Sequence, residues 1–488
     1  MGHILSKSKI FSGLQCPRRL WLEVHRPNLA EESQSAAARM ATGQTVGKIA
    51  WSLMPGGELI EFDDGLAAAL EQTTQHLAVS SSPLYEATIS YDDVLVRTDL
   101  LAKVKGGLHL IEVKSATQVK DYYHSDCAVQ LWVLEGAGYP VHDVKVAVVD
   151  NSFVYPGGGD YTGLLRLEDV TEKARGLQSQ VSVWVNEFKA VLADSMPEME
   201  IGQHCEEPFG CPFWGFCKPL DMPEYPLSCL PRARQPLLDQ LESEGYVDIR
   251  DIPEGRLENP NHLRVRKVTA SGKPELLPEA GAFLRSLPYP LYYLDFETIQ
   301  FAVPIWAGTR PYEQLPFQWS CHIEHKQGHL EHREFLDLSG QAPMRQLANS
   351  LIDACGDTGP IFAYSAGFER GVINKLAERF SGLANPLLAI ADRLEDLLPL
   401  ARNNYYHPAM KGSWSIKTLL PCIVPNLDYN LLNEVHDGGE AQMAYLEAID
   451  PETPGERKNQ LRHALLKYCE LDTFGLCKIF EYFTNTIT

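Results

Sequence analysis

The segment YPLYYLDFETIQF (residues 289–301) sets two acids, Asp295 and Glu297, inside a run that otherwise reads as an apolar strand. Side chains two apart on a strand share a face, so both carboxylates look into the same space. PIFAYSAGFERGVINKLAERF reads as a strand, a tight turn and a helix, with Glu369 near the helix start. NQLRHALLKYCELDTFGLCKIFEYF is strongly helical in pattern, and Tyr468 and Asp472, four apart, share one face. Four acids from three elements around one pocket repel each other unless cations sit among them. Two divalent ions, Mg²⁺ or Mn²⁺, about 4 Å apart resolve that repulsion; one activates water and the other stabilises a leaving oxygen. Tyr468, one turn before Asp472, is placed to orient the water. Asp392 and Asp396 in ADRLEDLLPL are alternative contributors.

A second cluster lies in the first half. DDVLVRTDLLAKVKGGLHLIEVKSATQ reads as a β-hairpin turning at Gly106-Gly107. Glu112 and Lys114 on the return strand point the same way, beside Asp99 on its partner. Two carboxylates and a lysine on one sheet face are costly to bury without a cation, and a hard ion such as Mg²⁺ or Mn²⁺ suits oxygen ligands. HSDCAVQLWVLEGAGYPV reads as a helix with Asp126, Gln130 and Leu134 on one face, bringing Gln130 within reach. Glu86, in LYEATISY, adds a further carboxylate.

The chain has 488 residues, enough for two or three domains, and its 44% hydrophobic content is that of a folded soluble protein. No apolar run is long enough to span a bilayer, and MGHILSKSKIFSG lacks a signal-peptide core, so we expect a cytoplasmic protein without membrane partners. A net charge of −21 argues against a passive coat on nucleic acid, but not against an enzyme whose clustered acids are neutralised by metal. Basic residues also cluster locally, in KSKIFSGLQCPRRLW and NHLRVRKVTASGK. Eleven cysteines in a leaderless chain are not expected to form a disulfide framework. We expect an α/β unit over residues 1–220, a linker over 221–288 and a second α/β unit over 289–488. LLDQLESEGYVDIRDIPEGRL within the linker reads either as a helix-hairpin-helix that grips a phosphate backbone or as a plain connector.

Asp99, Glu112, Lys114 and Gln130, in that order, resemble the PD-(D/E)XK nuclease superfamily in its RecB-like branch. Cys16 in QCPRRLW and Cys205, Cys211 and Cys217 in HCEEPFGCPFWGFC resemble the iron–sulfur members of that branch, such as the type-four CRISPR-associated nuclease. The resemblance implies a cluster that staples the two ends of the domain together. Four thiolates hold a 4Fe-4S cluster or Zn²⁺; the five-residue gaps favour the cluster. Many RecB-like nucleases carry a His or Glu ligand on an early helix. The stretch ATGQTVGKIAW offers only Gln44, leaving His76 or Glu86 to substitute.

Asp295, Glu297, Glu369, Tyr468 and Asp472 resemble the DEDD exonucleases of RNase H-like fold, in the tyrosine (DEDDy, DnaQ-like) variant. The middle motif of that family usually ends in Phe-Asp, where this chain has Phe368-Glu369, one methylene longer. The pairing of both domains resembles a bacterial two-domain nuclease family and covers nearly the whole chain. It implies a metal-dependent nuclease with two hydrolytic sites, the second a 3′–5′ exonuclease, acting on DNA that is single-stranded or has free ends. RNA is an alternative substrate. No P-loop is present, so any unwinding would need a separate helicase. NNYYHPAMKGSWSIKTLLP either stacks bases and contacts phosphate or covers the core. The rival reading is a non-catalytic or singly active adaptor that binds nucleic-acid ends.

Overall fold

A computed structural model describes residues 4–31, 34–219, 221–427, 429, 432 and 434–485. The protein is mixed α/β. It divides into two compact units, residues 1–219 with 301–313, and residues 220–300 with 314–488. Among the described residues, no helix is long and apolar enough to cross a membrane.

The first unit is built on seven strands: β1 (Leu5–Ser6), β2 (Glu58–Leu59), β3 (Leu84–Tyr91), β4 (Val94–Val104), β5 (Gly107–Lys114), β6 (Val141–Val149) and β7 (Leu165–Asp169). The sheet order is β2-β3-β4-β5-β6-β7, with β1 beside β4. Strand β5 is antiparallel to β4 and parallel to β6, and the helix Asp121–Gly136 joins β5 to β6. Both sheet faces are covered, so the middle strands read as near-continuous apolar runs. Leu108 and Leu110 pack with Val146, Val148 and the helix residues Val129 and Leu131. Ile111 packs on the opposite face with Leu100, Tyr85 and Ala147. By the same alternation Glu112 lies on the Leu110 side, under the Asp121–Gly136 helix. The first unit also takes in residues 301–313: Tyr155 N–H donates to Thr309 O at 3.0 Å and Gly308 N–H to Tyr155 O at 2.8 Å.

The second unit contains β8 (Glu275–Leu276), β9 (Leu291–Ile299), β10 (Leu315–Lys326), β11 (His329–Leu336), β12 (Ile361–Ala363), β13 (Leu394–Asp396) and β14 (Tyr405–Tyr406). Five of them form a sheet in the order β11-β10-β9-β12-β13. Strands β9, β10 and β11 are antiparallel neighbours, while β12 and β13 run parallel to β9. Central β9 is buried along nearly its whole length. The β9–β10 register slips between Pro316 and Gln318, opposite Thr298 and Glu297. Phe317 is the extra residue; it is fully buried and stacks on Tyr445 at 3.9 Å between ring centroids. The long helix Gly455–Asn485 is tied to β10 through Thr473, whose Oγ1 lies 2.8 Å from both Ser320 Oγ and His322 Nδ1.

The stretch 221–288, expected as a linker, instead belongs to the second unit. It forms the helices Gln235–Ser243, Pro260–Ser271 and Glu279–Arg285 and the strand β8, which pairs with β14.

The β4–β5 turn lies one residue earlier than expected. Val104 pairs with Gly107, so Lys105 and Gly106 make the loop. Gly107 is required for a different reason: its φ is +152° and a Cβ there would meet Pro140 O at 2.5 Å. Gly107→Ala should therefore destabilise the first unit by about 1–3 kcal/mol. Chemical denaturation of the two proteins measures it; an unchanged midpoint would contradict the close approach.

Candidate functional site

The second unit gathers the acids expected of it. Asp295 and Glu297 come from β9, Glu369 from the third position of the helix Gly367–Arg379, and Asp472 from the helix Gly455–Asn485. Glu297, Glu369 and Asp472 are at most 7% exposed. Asp472 Oδ1 accepts from Tyr429 Oη at 2.5 Å. Cys469 Sγ lies 3.7 Å from Asp295 Oδ2. Asp295, Glu297 and Cys469 offer ligand atoms within 4.8 Å of one another. Among the described residues, Glu369 Oε2 is buried with no hydrogen-bond partner.

The electrostatics match that crowding. Burial, then Asp472, Glu297 and Glu369, push Asp295 well above the usual carboxylate range. Burial and the Asp472 charge raise Glu297 to about 8, against the pull of Lys417. Burial raises Glu369 to about 8. Burial also lifts Asp472, to about 6, while the Tyr429 hydroxyl and Lys417 hold it down. These groups sit beside too little positive charge to ionise together.

Two neighbours escaped the sequence reading. Tyr429 is 43 residues from its partner Asp472, and no local pattern joins them. Lys417 donates to His436 O at 2.7 Å and lies over the rings of Tyr429 and Tyr468 at 5.3 and 5.4 Å. In the segment around Lys417, Tyr405, Tyr406 and Trp414 are buried, and the Trp414 indole N–H donates to Tyr405 O at 2.8 Å, while Asn403, Ala409, Lys411 and Ser415 are exposed. Tyr468 is also buried, against Tyr429. Of the alternative acids, Asp392 is exposed. Asp396 caps the helix Leu397–Asn404 and accepts from Ser365 N–H at 2.9 Å. Ser365 has φ +72°, so Asp396 holds the strained turn that delivers Glu369.

The first unit also brings its expected residues together. Glu112 is 2% exposed and Gln130 is fully buried. Gln130 Nε2 donates to Glu112 Oε2 at 2.6 Å and to Asp126 Oδ1 at 3.0 Å, leaving its buried Oε1 without a partner. Lys114 Nζ bridges Glu112 Oε1 and Asp126 Oδ2, each at 2.6 Å. Asp99 Oδ2 accepts from Val113 N–H at 2.6 Å. The β4–β5 ladder pairs Leu100 with Ile111 and goes no further, so this carboxylate takes over where strand pairing ends. Burial and the Glu112 charge raise Asp99 to about 8.

Glu86 sits beside this cluster with φ +57°, out of the β3–β4 ladder, and 3.4 Å from Arg97. Gln44 is exposed, and His76 is bonded to Glu58 and Ser82 O, both at 3.0 Å. The residue missed in this unit is Lys7. Its Nζ reaches Glu112 Oε1, 105 residues away, at 2.7 Å and Asp126 Oδ1 at 2.9 Å. Asp126, read only as sharing a face with Gln130, is a full member.

Cys16, Cys205, Cys211 and Cys217 line one small cavity. Gln15 Nε2 closes the two chain segments on each other by donating to His204 O and Phe209 O, each at 2.7 Å. The basic clusters are largely engaged within the fold. Arg18 donates to Pro197 O at 2.8 Å and Arg266 to Ile252 O at 2.7 Å, while Arg264 pairs with Glu275 at 2.5 Å.

In comparisons with known proteins, the family described as Domain of unknown function (DUF2779) matches residues 292–415. That stretch includes Asp295, Glu297 and Glu369 and stops short of Tyr468 and Asp472. No curated protein matches the chain.

Carboxyls whose folded values are raised stabilise the protein fully below their unfolded values, near pH 4, and lose that contribution as pH rises through the folded values. With Glu297 and Glu369 at about 8 and Asp472 at about 6, the window runs from about pH 4 to 8. The Tm of metal-free protein should therefore fall as pH rises across that window. Asp295→Asn combined with Glu297→Gln should flatten the slope. Differential scanning calorimetry decides it; equal slopes in both proteins would contradict the crowding.

Proposed function

We propose that the chain is a metal-dependent nuclease with two hydrolytic sites acting on DNA: a RecB-like iron–sulfur nuclease in the first unit and a DEDDy 3′–5′ exonuclease of RNase H-like fold in the second. The observation that carries this is the convergence of Asp295, Glu297, Glu369 and Asp472 from strand, strand-turn-helix and terminal helix, with Glu369 Oε2 buried and unpartnered. That donor set fits hard divalent cations: it is oxygen-rich, crowded and short of positive charge. Bound Mg²⁺ or Mn²⁺ would supply an activated water and charge stabilisation at the leaving oxygen.

The chain's own residues do the rest. Tyr429 fixes one oxygen of Asp472 and so aims the other. Tyr468, buried against the same acids, offers a hydroxyl to orient water. Lys417, held by His436 O, places a positive charge beside the acids, where a phosphate would be drawn. In the first unit Lys114 is the group suited to stabilise charge developing on phosphate, and Gln130 orients Glu112.

Cys16, Cys205, Cys211 and Cys217, which line one cavity, would hold a 4Fe-4S cluster, with Zn²⁺ the alternative; the five-residue gaps between the last three favour the cluster. One observation favours the rival with a single active site: Lys7 and Lys114 already neutralise Glu112 and Asp126.

Cleavage of 5′-labelled and 3′-labelled single-stranded DNA and RNA with Mg²⁺ or Mn²⁺ tests the proposal. Asp295→Ala should lose more than about a hundredfold in 3′-end removal, since even partners outside the ligand shell of a metal are worth about 10–100-fold. Tyr468→Phe should retain more activity than Asp295→Ala. Shortening from the 5′ end alone, or activity untouched by Asp295→Ala, would defeat the second-site assignment. Anaerobically purified protein should be brown, with about four irons per chain; colourless protein with one stoichiometric zinc would reject the cluster.

A further inference from the structure

Every oxygen of Glu112 is occupied. Oε1 accepts from Lys7 at 2.7 Å and from Lys114 at 2.6 Å, and Oε2 accepts from Gln130 at 2.6 Å. The two ammonium groups bridge the same pair of acids, since Asp126 Oδ1 and Oδ2 take Lys7 and Lys114 at 2.9 and 2.6 Å. Two positive charges balance two negative ones on a pair of buried acids. A divalent cation that binds Glu112 through Oε1 displaces an ammonium, and one that approaches Oε2, which accepts only from the neutral Gln130 amide, meets the charge of both lysines.

The two lysines come from different elements. Lys114 is the last residue of β5, and its ammonium lies 5.2 Å from the Tyr123 ring centroid. Lys7 is the first residue of the helix Lys7–Gln15, which follows the two-residue strand β1. Gln130 Oε1, buried and without a partner among the described residues, adds an oxygen with no donor while both ammonium groups are in place.

We propose that Lys7 is an internal counter-ion that sets the cation affinity of the first site: its ammonium holds the Glu112–Asp126 pair, and a divalent cation binds there by displacing it. This rests on the reading of Glu112 as a metal ligand. Lys114 stays in place, so the metal-loaded site keeps one lysine for the phosphate.

Mn²⁺ binding tests this, by calorimetric titration and thermal shift, in protein whose second site is disabled by Asp295→Asn and Asp472→Asn. Lys7→Met should bind Mn²⁺ at least about tenfold more tightly than the parent, because an ammonium within 3 Å of both acids no longer competes. Lys7→Arg keeps the charge and should bind like the parent. Equal or weaker binding by Lys7→Met overturns the proposal, as does tightening in both variants, which would assign the effect to packing. Lys7→Gln replaces Lys7→Met in the same comparison if the latter fails to fold. The readout is binding, so the nuclease reading fails separately, by absence of cleavage in Mn²⁺-loaded wild type.

Discussion

A carboxylate taken out of water must find a positive partner or keep its proton, and both candidate centres are organised around that choice. The first unit answers it internally. Lys7 and Lys114 close on Glu112 and Asp126, and Asp99 binds a backbone N–H and holds its proton up to about 8. The second unit leaves the question open. Lys417 is the cation that pulls on Glu297 and Asp472, set against four acids. That deficit makes the second site the stronger candidate for a resident divalent ion. A neutral, hydrogen-bonded cluster resists a cation, whereas a protonated, crowded one releases its protons to receive it.

Holding such a deficit requires a stiff frame. Strand β9 is central and covered, so Asp295 and Glu297 cannot turn away without disturbing the core. The slip at Phe317, anchored by its stack on Tyr445, re-aims the partner strand opposite Glu297. The Thr473 hydroxyl fastens the terminal helix to β10 one residue after Asp472. Asp396 braces Ser365 in its left-handed conformation, and that turn sets the start of the helix bearing Glu369. Each acid is thus fixed by a contact outside the pocket, as preorganised charge requires.

Much of this was legible in the sequence because the informative patterns are local. An Asp-x-Glu on an apolar strand, a Glu at a helix start and a Tyr-x3-Asp on a helix declare their faces through the two backbone periodicities. The same holds for Glu112, Lys114 and Gln130. Lys7, Tyr429 and Lys417 were not legible, since each reaches its partners through tertiary packing across tens to a hundred residues. The stretch 221–288 read as a connector because its elements are short and punctuated by Pro and Gly. Pairing of Leu276 with Tyr405 makes it part of the second unit, and nothing near Leu276 announces that. Helical spacing puts Asp126 on the Gln130 face but says nothing of its lysine partners, which come from two other elements.

The most direct measurement is anomalous diffraction from crystals grown with Mn²⁺. Two peaks among the carboxylates of Asp295, Glu297, Glu369 and Asp472 are the expected result, with both lost in Asp295→Asn. Crystals saturated with Mn²⁺ that show no peak at these four residues would contradict the claim that their crowding exists to hold metal.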